Sequence, residues 1–163
     1  MTIEVFITGG TIDNLDYDSE DKAPKNRKSV IPELLKRSRI RTGFIAEELM
    51  LKDSKFITDK DRELISKKCK KCVERKIVIT HGTTTMPDTA KYLGQKNIPK
   101  TIVLVGAAIP PKNPDSDALF NIGFAFSAVQ SLPNGVYVAM NGKIFSWQNV
   151  RKDFRTGYFK EEK

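Results

Sequence analysis

The chain alternates between two hydrophobic periods, one of two residues and one of three to four, so strands and helices take turns along it. Residues 3–8, Ile-Glu-Val-Phe-Ile-Thr, form a β-rich run that delivers its carboxyl end to a tight turn at Gly9-Gly10. Asp, Asn, Lys, Ser and Pro then dominate, which predicts a mobile loop over 13–30 of the kind that often serves as a lid. Residues 31–35 begin a short helix with Pro32 in its first turn, and 44–51 read as a second strand ending at Lys52-Asp53-Ser54. Thr58 is a candidate N-cap for a helix over 59–72 with Leu64, Ile65 and Cys69 as its apolar stripe. A buried strand over 76–80 runs into the polar turn His81-Gly82-Thr83-Thr84-Thr85, and a helix over 86–95 comes next. After a strand at 101–105 come a proline-rich loop to Asp117, an apolar helix over 118–132, and strands at 136–140 and 143–147 joined by Asn141-Gly142, a hairpin signal. Residues 154–163 read as a tail.

This order predicts an α/β fold: a three-layer αβα domain over 1–163 with a mainly parallel, Rossmann-like sheet and a C-terminal β-hairpin. In such sheets ligands gather beyond the carboxyl ends of the strands, and three polar-glycine turns end strands here, at 8–11, 81–85 and 106–117.

Composition narrows the picture. With 163 residues, 39% apolar and 29% charged, the chain has room for one sizeable core and no second full domain. Its longest apolar stretch, near 102–109, falls far short of the ~18 residues a bilayer span needs, and the chain opens on a strand pattern, so residence in the cytoplasm without membrane contact is the expectation. The 28 basic and 20 acidic residues leave a net charge of +8, which raises the question of a polyanionic partner. The lysines, among them Lys67, Lys68, Lys70 and Lys71, are interleaved with acids and no aromatic-basic module accompanies them, so a solvated face is expected and not a nucleic-acid surface. Cys69 and Cys72 form a lone CxxC; without a second pair, and with His81 the one histidine, packing explains them better than a metal, and neither metal nor cofactor is expected.

Chemistry concentrates in the turns. In Thr8-Gly9-Gly10-Thr11 the glycines let backbone amides approach a ligand while Thr11 projects over it; from these four residues alone a plain Gly-Gly turn with Thr11 capping the next segment is the preferred reading, and no GxGxxG is present. His81 could serve Thr83 as a base or could be structural. Asp117 could line the site or cap the helix beyond it.

Thr8–Ile12 (TGGTI) together with His81–Met86 (HGTTTM) resembles the bacterial-type L-asparaginases, which carry a threonine nucleophile in a TGGTI stretch and a second threonine in an HGTDTM stretch. The resemblance covers residues 3–147, the family's N-terminal domain, and implies Thr11 as nucleophile with Thr83 and Thr84 as its catalytic companions. It also implies Gly10 and Gly82 at the substrate, Ser54 in Asp53-Ser54 as ligand of the substrate's α-carboxylate, and Tyr17 as lid tyrosine. Gly106-Ala107-Ala108 through Ser116-Asp117 and Asn121 matches a further family segment, placing Asp117 near the substrate.

Three departures emerge from the same resemblance. The family's C-terminal domain has no counterpart in this sequence, its HGT aspartate is Thr84 here, and the lysine completing its Thr-Lys-Asp triad falls near Val129 by ungapped placement. Lys55 could stand in for that ammonium or bind a carboxylate. The implied function is hydrolysis of the side-chain amide of asparagine or a similar small amide, impaired or altered by those losses, with a small-carboxylate or amino-acid binding module as the alternative. A homodimer or larger assembly is expected, with Phe124, Phe126 and Trp147 as candidate surface residues, although core burial is the commoner fate of any one of them.

Overall fold

The structure, a computed structural model, describes residues 1–15 and 28–162. Its strands are β1 (Thr2–Gly9), β2 (Gly43–Lys52), β3 (Lys76–Thr80), β4 (Thr101–Val105), β5 (Gly135–Met140), β6 (Lys143–Ser146), β7 (Arg151–Lys152) and β8 (Phe159–Lys160). The helices are α1 (Ile31–Arg37), α2 (Asp59–Lys71), α3 (Met86–Gly94) and α4 (Ala118–Ser131).

Strictly alternating side chains make the three layers. Along β1, Ile3, Val5 and Ile7 point to one face and Phe6 to the other; β3 and β4 divide Val78, Val103 and Val105 from Ile77, Ile79, Ile102 and Leu104 in the same way. The first face packs on Leu34 and Leu35 of α1 and Ile122, Ala125, Phe126 and Val129 of α4. The second packs on Ile65 and Cys69 of α2 and Ala90 and Leu93 of α3. Strands covered on both faces can be apolar throughout, which is why β4 is buried at every position.

The six-stranded sheet runs β2-β1-β3-β4-β5-β6, parallel through β5 with β6 antiparallel. Chain order reverses at β1, which lies between β2 and β3, so a crevice opens beyond the carboxyl ends of β1 and β3. Asn141 and Gly142 both have positive φ, 57° and 73°, the left-handed pair that a two-residue hairpin turn requires.

One expectation is corrected. Residues 154–163 are not a plain tail: β8 pairs antiparallel with β7 and Phe159 is buried against Phe145, because one large aromatic repays folding the chain end back. Of the three candidate surface aromatics, Phe126 is buried in the core, while Phe124, stacked on the exposed Phe120 at 6.3 Å, and Trp147, packed against Gly94, are both partly buried. Cys69 is buried among apolar residues, as packing requires. No helix among the described residues is long and apolar enough to cross a membrane.

Candidate active site

The turn after β1 and the turn after β3 meet glycine to glycine. Gly10 has φ 86°, and a side-chain carbon there would lie 2.4 Å from both the Cα and the N of Gly82, so any other residue would force the turns apart. Gly82 is confined in its turn by Ser54, whose Oγ would be 2.7 Å from a carbon on Gly82. Ser54 is fully buried and stitched to the same turn: its carbonyl accepts from Thr85 Oγ1 at 2.7 Å and its hydroxyl from the Thr85 amide at 3.3 Å. Gly106, at the end of β4, completes the cluster, since a carbon on it would touch the Thr83 methyl at 3.0 Å. Thr11 comes directly after Gly10 and is half-buried, opening a short 3-10 turn over Thr11–Asp13.

The Thr83 hydroxyl accepts a hydrogen bond from Lys152 Nζ at 2.7 Å. Burial pushes the Lys152 ammonium below the ordinary lysine range while the field of Asp53 opposes that shift, so its proton is easier to release than that of a solvated lysine.

His81 is spent on structure. Its Nδ1 lies 2.7 Å from the Gly82 carbonyl, which can only accept, so Nδ1 carries the hydrogen and Nε2 accepts from Thr89 Oγ1 at 2.9 Å. Thr89 accepts in turn from Arg62 Nε at 3.2 Å. Complete burial pushes the imidazole pKa down to about 4, so this chain of bonds holds a neutral ring that pins the Gly82 carbonyl.

The Asp117 side chain does not cap α4. Its carboxylate accepts from the amides of Ala108 (3.0 Å) and Ile109 (2.9 Å) and from Asn121 Nδ2 (2.8 Å), while Ser116 Oγ takes the Ala118 amide. Asn121 also donates to the Gly106 carbonyl at 3.0 Å, so this pair shapes the loop behind Thr83. Thr84 is exposed on a shallow cleft of about 200 Å3 that Asp88, Val150, Arg151, Lys152 and Phe154 also line. Tyr17 lies outside the described residues.

Residues 2–158 match the family described as Asparaginase, N-terminal. The chain belongs to that asparaginase family. It is 35% identical over 153 residues to a glutamyl-tRNA(Gln) amidotransferase subunit of Methanococcus vannielii, covering 87% of this chain and 34% of that protein. It is 30% identical over 166 residues to the glutaminase-asparaginase of Acinetobacter glutaminasificans, covering 92% and 49%. The solved thermostable L-asparaginase from Thermococcus kodakarensis superposes with a TM-score of 0.84 at 28% identity, over 99% of this chain and 51% of that one. The chain thus spans between a third and a half of the length of these relatives.

Against the asparaginase pattern, the structure brings Gly10, Gly82, Thr83 and Ser54 together around one crevice with Thr11 at its edge. It does not bring Val129 there. Val129 is buried in the α4 core layer, and the lysine on the second threonine is Lys152, a residue that ungapped counting misses. Lys55 does not replace it: its Nζ lies 3.8 Å from Asp53 Oδ2 and over the Phe56 ring. No sequence signal marks Lys152, because β7 spans two residues and is too short to show a period. Among the described residues no three His, Cys, Asp or Glu side chains gather into a metal-binding group.

Proposed function

We propose that this chain is an asparaginase-type amidohydrolase acting on the side-chain amide of asparagine or a similar small amide, with Thr11 as nucleophile. The observation that carries this is the 2.7 Å bond from Lys152 to Thr83, on a turn in direct contact with Gly10, the neighbour of Thr11. Lys152 in its neutral form takes a proton through Thr83 as the Thr11 hydroxyl oxygen attacks the amide carbon. The carbonyl oxygen gathers negative charge against backbone N–H groups of the glycine turns, ammonia leaves with the transferred proton, and water then hydrolyses the threonyl ester to release the acid and restore the hydroxyl. Ser54 is assigned the substrate's α-carboxylate and Gly82 the backbone contact beside it. Thr84 carries no charge where the family has a carboxylate, so turnover below that of an intact triad is part of the proposal.

The cytoplasm remains the proposed location, and a homodimer or larger homo-oligomer the proposed assembly, for which the exposed Phe120 stacked on Phe124 supplies apolar surface. Ammonia release from asparagine and from glutamine, compared between the wild type and Thr11→Ala, tests the proposal. Release by the wild type that Thr11→Ala abolishes supports it. Aspartate binding without any release favours the binding module, and release that survives Thr11→Ala removes the nucleophile.

A further inference from the structure

We infer that Asp13 is a positioning residue for Thr11: its buried carboxylate locks the nucleophile's turn onto the start of α1. The inference deepens the proposed function and rests on it for what Thr11 does, though not for its first readout.

Thr11 receives little direction from the chain that leads into it. Gly9 and Gly10 precede it at φ 99° and 86°, and glycine imposes almost no conformational preference, so the orientation of the turn Thr11–Asp13 depends on its outer ties. Within the turn, the Asp13 amide donates to the Gly10 carbonyl at 3.0 Å and the Asn14 amide to the Thr11 carbonyl at 3.1 Å. Ile12 is buried in the core layer that also holds Ile31 and Leu34 of α1. Such apolar contact is non-directional, and hydrogen bonds supply the direction.

Asp13 makes those bonds. It is fully buried, and its Oδ1 accepts from the Val30 amide at 2.6 Å and from Ser29 Oγ at 2.9 Å. Burial raises its carboxyl to about 6, and these two bonds act against that rise. Helix capping alone does not account for a carboxylate reaching across from residue 13. Ser29 already serves α1 locally, its Oγ accepting from the Ile31 amide at 3.0 Å, and Glu48 on β2 accepts from the Ser29 amide at 3.3 Å. What Asp13 adds is the tie between α1 and the turn. The next residue makes a second tie: Asn14, at φ 52°, accepts from the Lys112 amide at 3.0 Å, so the loop after β4 holds the same turn. Thr11 thus opens a turn whose far end is anchored to two separate segments. A nucleophile needs such anchoring, because a displacement of about 1 Å costs roughly 10²-fold in rate.

The test reads the turn itself in the full chain. Amide hydrogen exchange by NMR follows the Asn14 amide, with the amides of β1 as the reference for opening of the whole fold. In Asp13→Ala the protection of the Asn14 amide falls roughly tenfold or more while that of β1 holds. In Asp13→Asn, which keeps the acceptor oxygen and has no charge to bury, most of the protection returns. Ser29→Ala, which removes one of the two donors, gives a smaller loss of the same kind. An unchanged Asn14 amide in Asp13→Ala overturns the inference, as does a loss shared equally by β1 or a loss as large in Asp13→Asn. If Asp13→Ala does not fold, an unchanged Asn14 amide in Ser29→Ala overturns it instead. If the wild type releases ammonia, kcat per folded molecule falls roughly 10–10²-fold in Asp13→Ala with KM within about threefold, and recovers in Asp13→Asn. A raised KM with kcat unchanged counts against the assignment. A wild type without ammonia release overturns the proposed function alone, and hydrogen exchange still decides the role of Asp13.

Discussion

Distance along the chain does not decide the roles of His81 and Lys152. The histidine stands two residues from Thr83, where the sequence leaves a base and a structural role open, and both of its nitrogens are bonded away from that hydroxyl, which leaves the structural role. The lysine stands 69 residues from Thr83 and donates to it. Proximity in sequence is a poor guide inside a turn, because consecutive side chains there diverge. The His81 ring is expected to show no titration by NMR between about pH 5 and 8, and a midpoint near the ordinary ~6.5 would contradict its burial. Because its folded pKa is depressed to about 4, its contribution to stability is present above the ordinary value of 6.5 and is lost as pH falls through 4. Lys152→Met should reduce ammonia release by roughly 10²–10⁴-fold while aspartate still binds, as calorimetry with the same ligand would show.

At the scale of elements, most of the fold is legible in the hydrophobic pattern alone. The Thr58 cap is a full capping box with Asp61, which accepts from the Thr58 amide at 2.8 Å, and Thr58→Ala should cost about 1 kcal/mol in denaturant unfolding. Periodicity could not reveal pairing across the sheet, and so could not show that Glu4 is buried on β1 beside Glu74 and Glu47. Burial, foremost, and the neighbouring carboxyls raise Glu4 from its ordinary 4.5 to about 7. The native state then binds this proton more tightly than the unfolded chain, so the stability it contributes is present below pH 4.5 and lost as pH rises through 7. Glu4→Gln should accordingly raise the urea midpoint near pH 8 and leave it almost unchanged near pH 4; a lower midpoint at pH 8 would show that the ionised carboxylate is instead well satisfied. The ribbon of β7 and β8 was illegible for a related reason: its strands are two residues each, too short for any period, and only the burial of Phe159 reveals what holds them.

Over the whole molecule, sheet order converts scattered motifs into a site. TGGTI and HGTTTM are some seventy residues apart, but β1 and β3 are hydrogen-bonded neighbours in register from Ile3↔Lys76 to Ile7↔Thr80, so both turns must emerge side by side. That convergence was legible once a parallel sheet was inferred; which lysine joins it was not, since it depends on how the chain returns after the β5–β6 hairpin. The exposed Phe120, stacked on the half-buried Phe124, lies outside this convergence, and Phe120→Lys should shift the molecule towards monomer by light scattering if that face associates. The proposed chemistry turns on a threonine ester. Rapid acid quenching of the chain during incubation with asparagine, then peptide mapping by mass spectrometry, should find an aspartyl group on Thr11 in the wild type and none in Thr11→Ala. An aspartyl group on Thr83 instead, or steady ammonia release with neither threonine ever acylated, would contradict that chemistry.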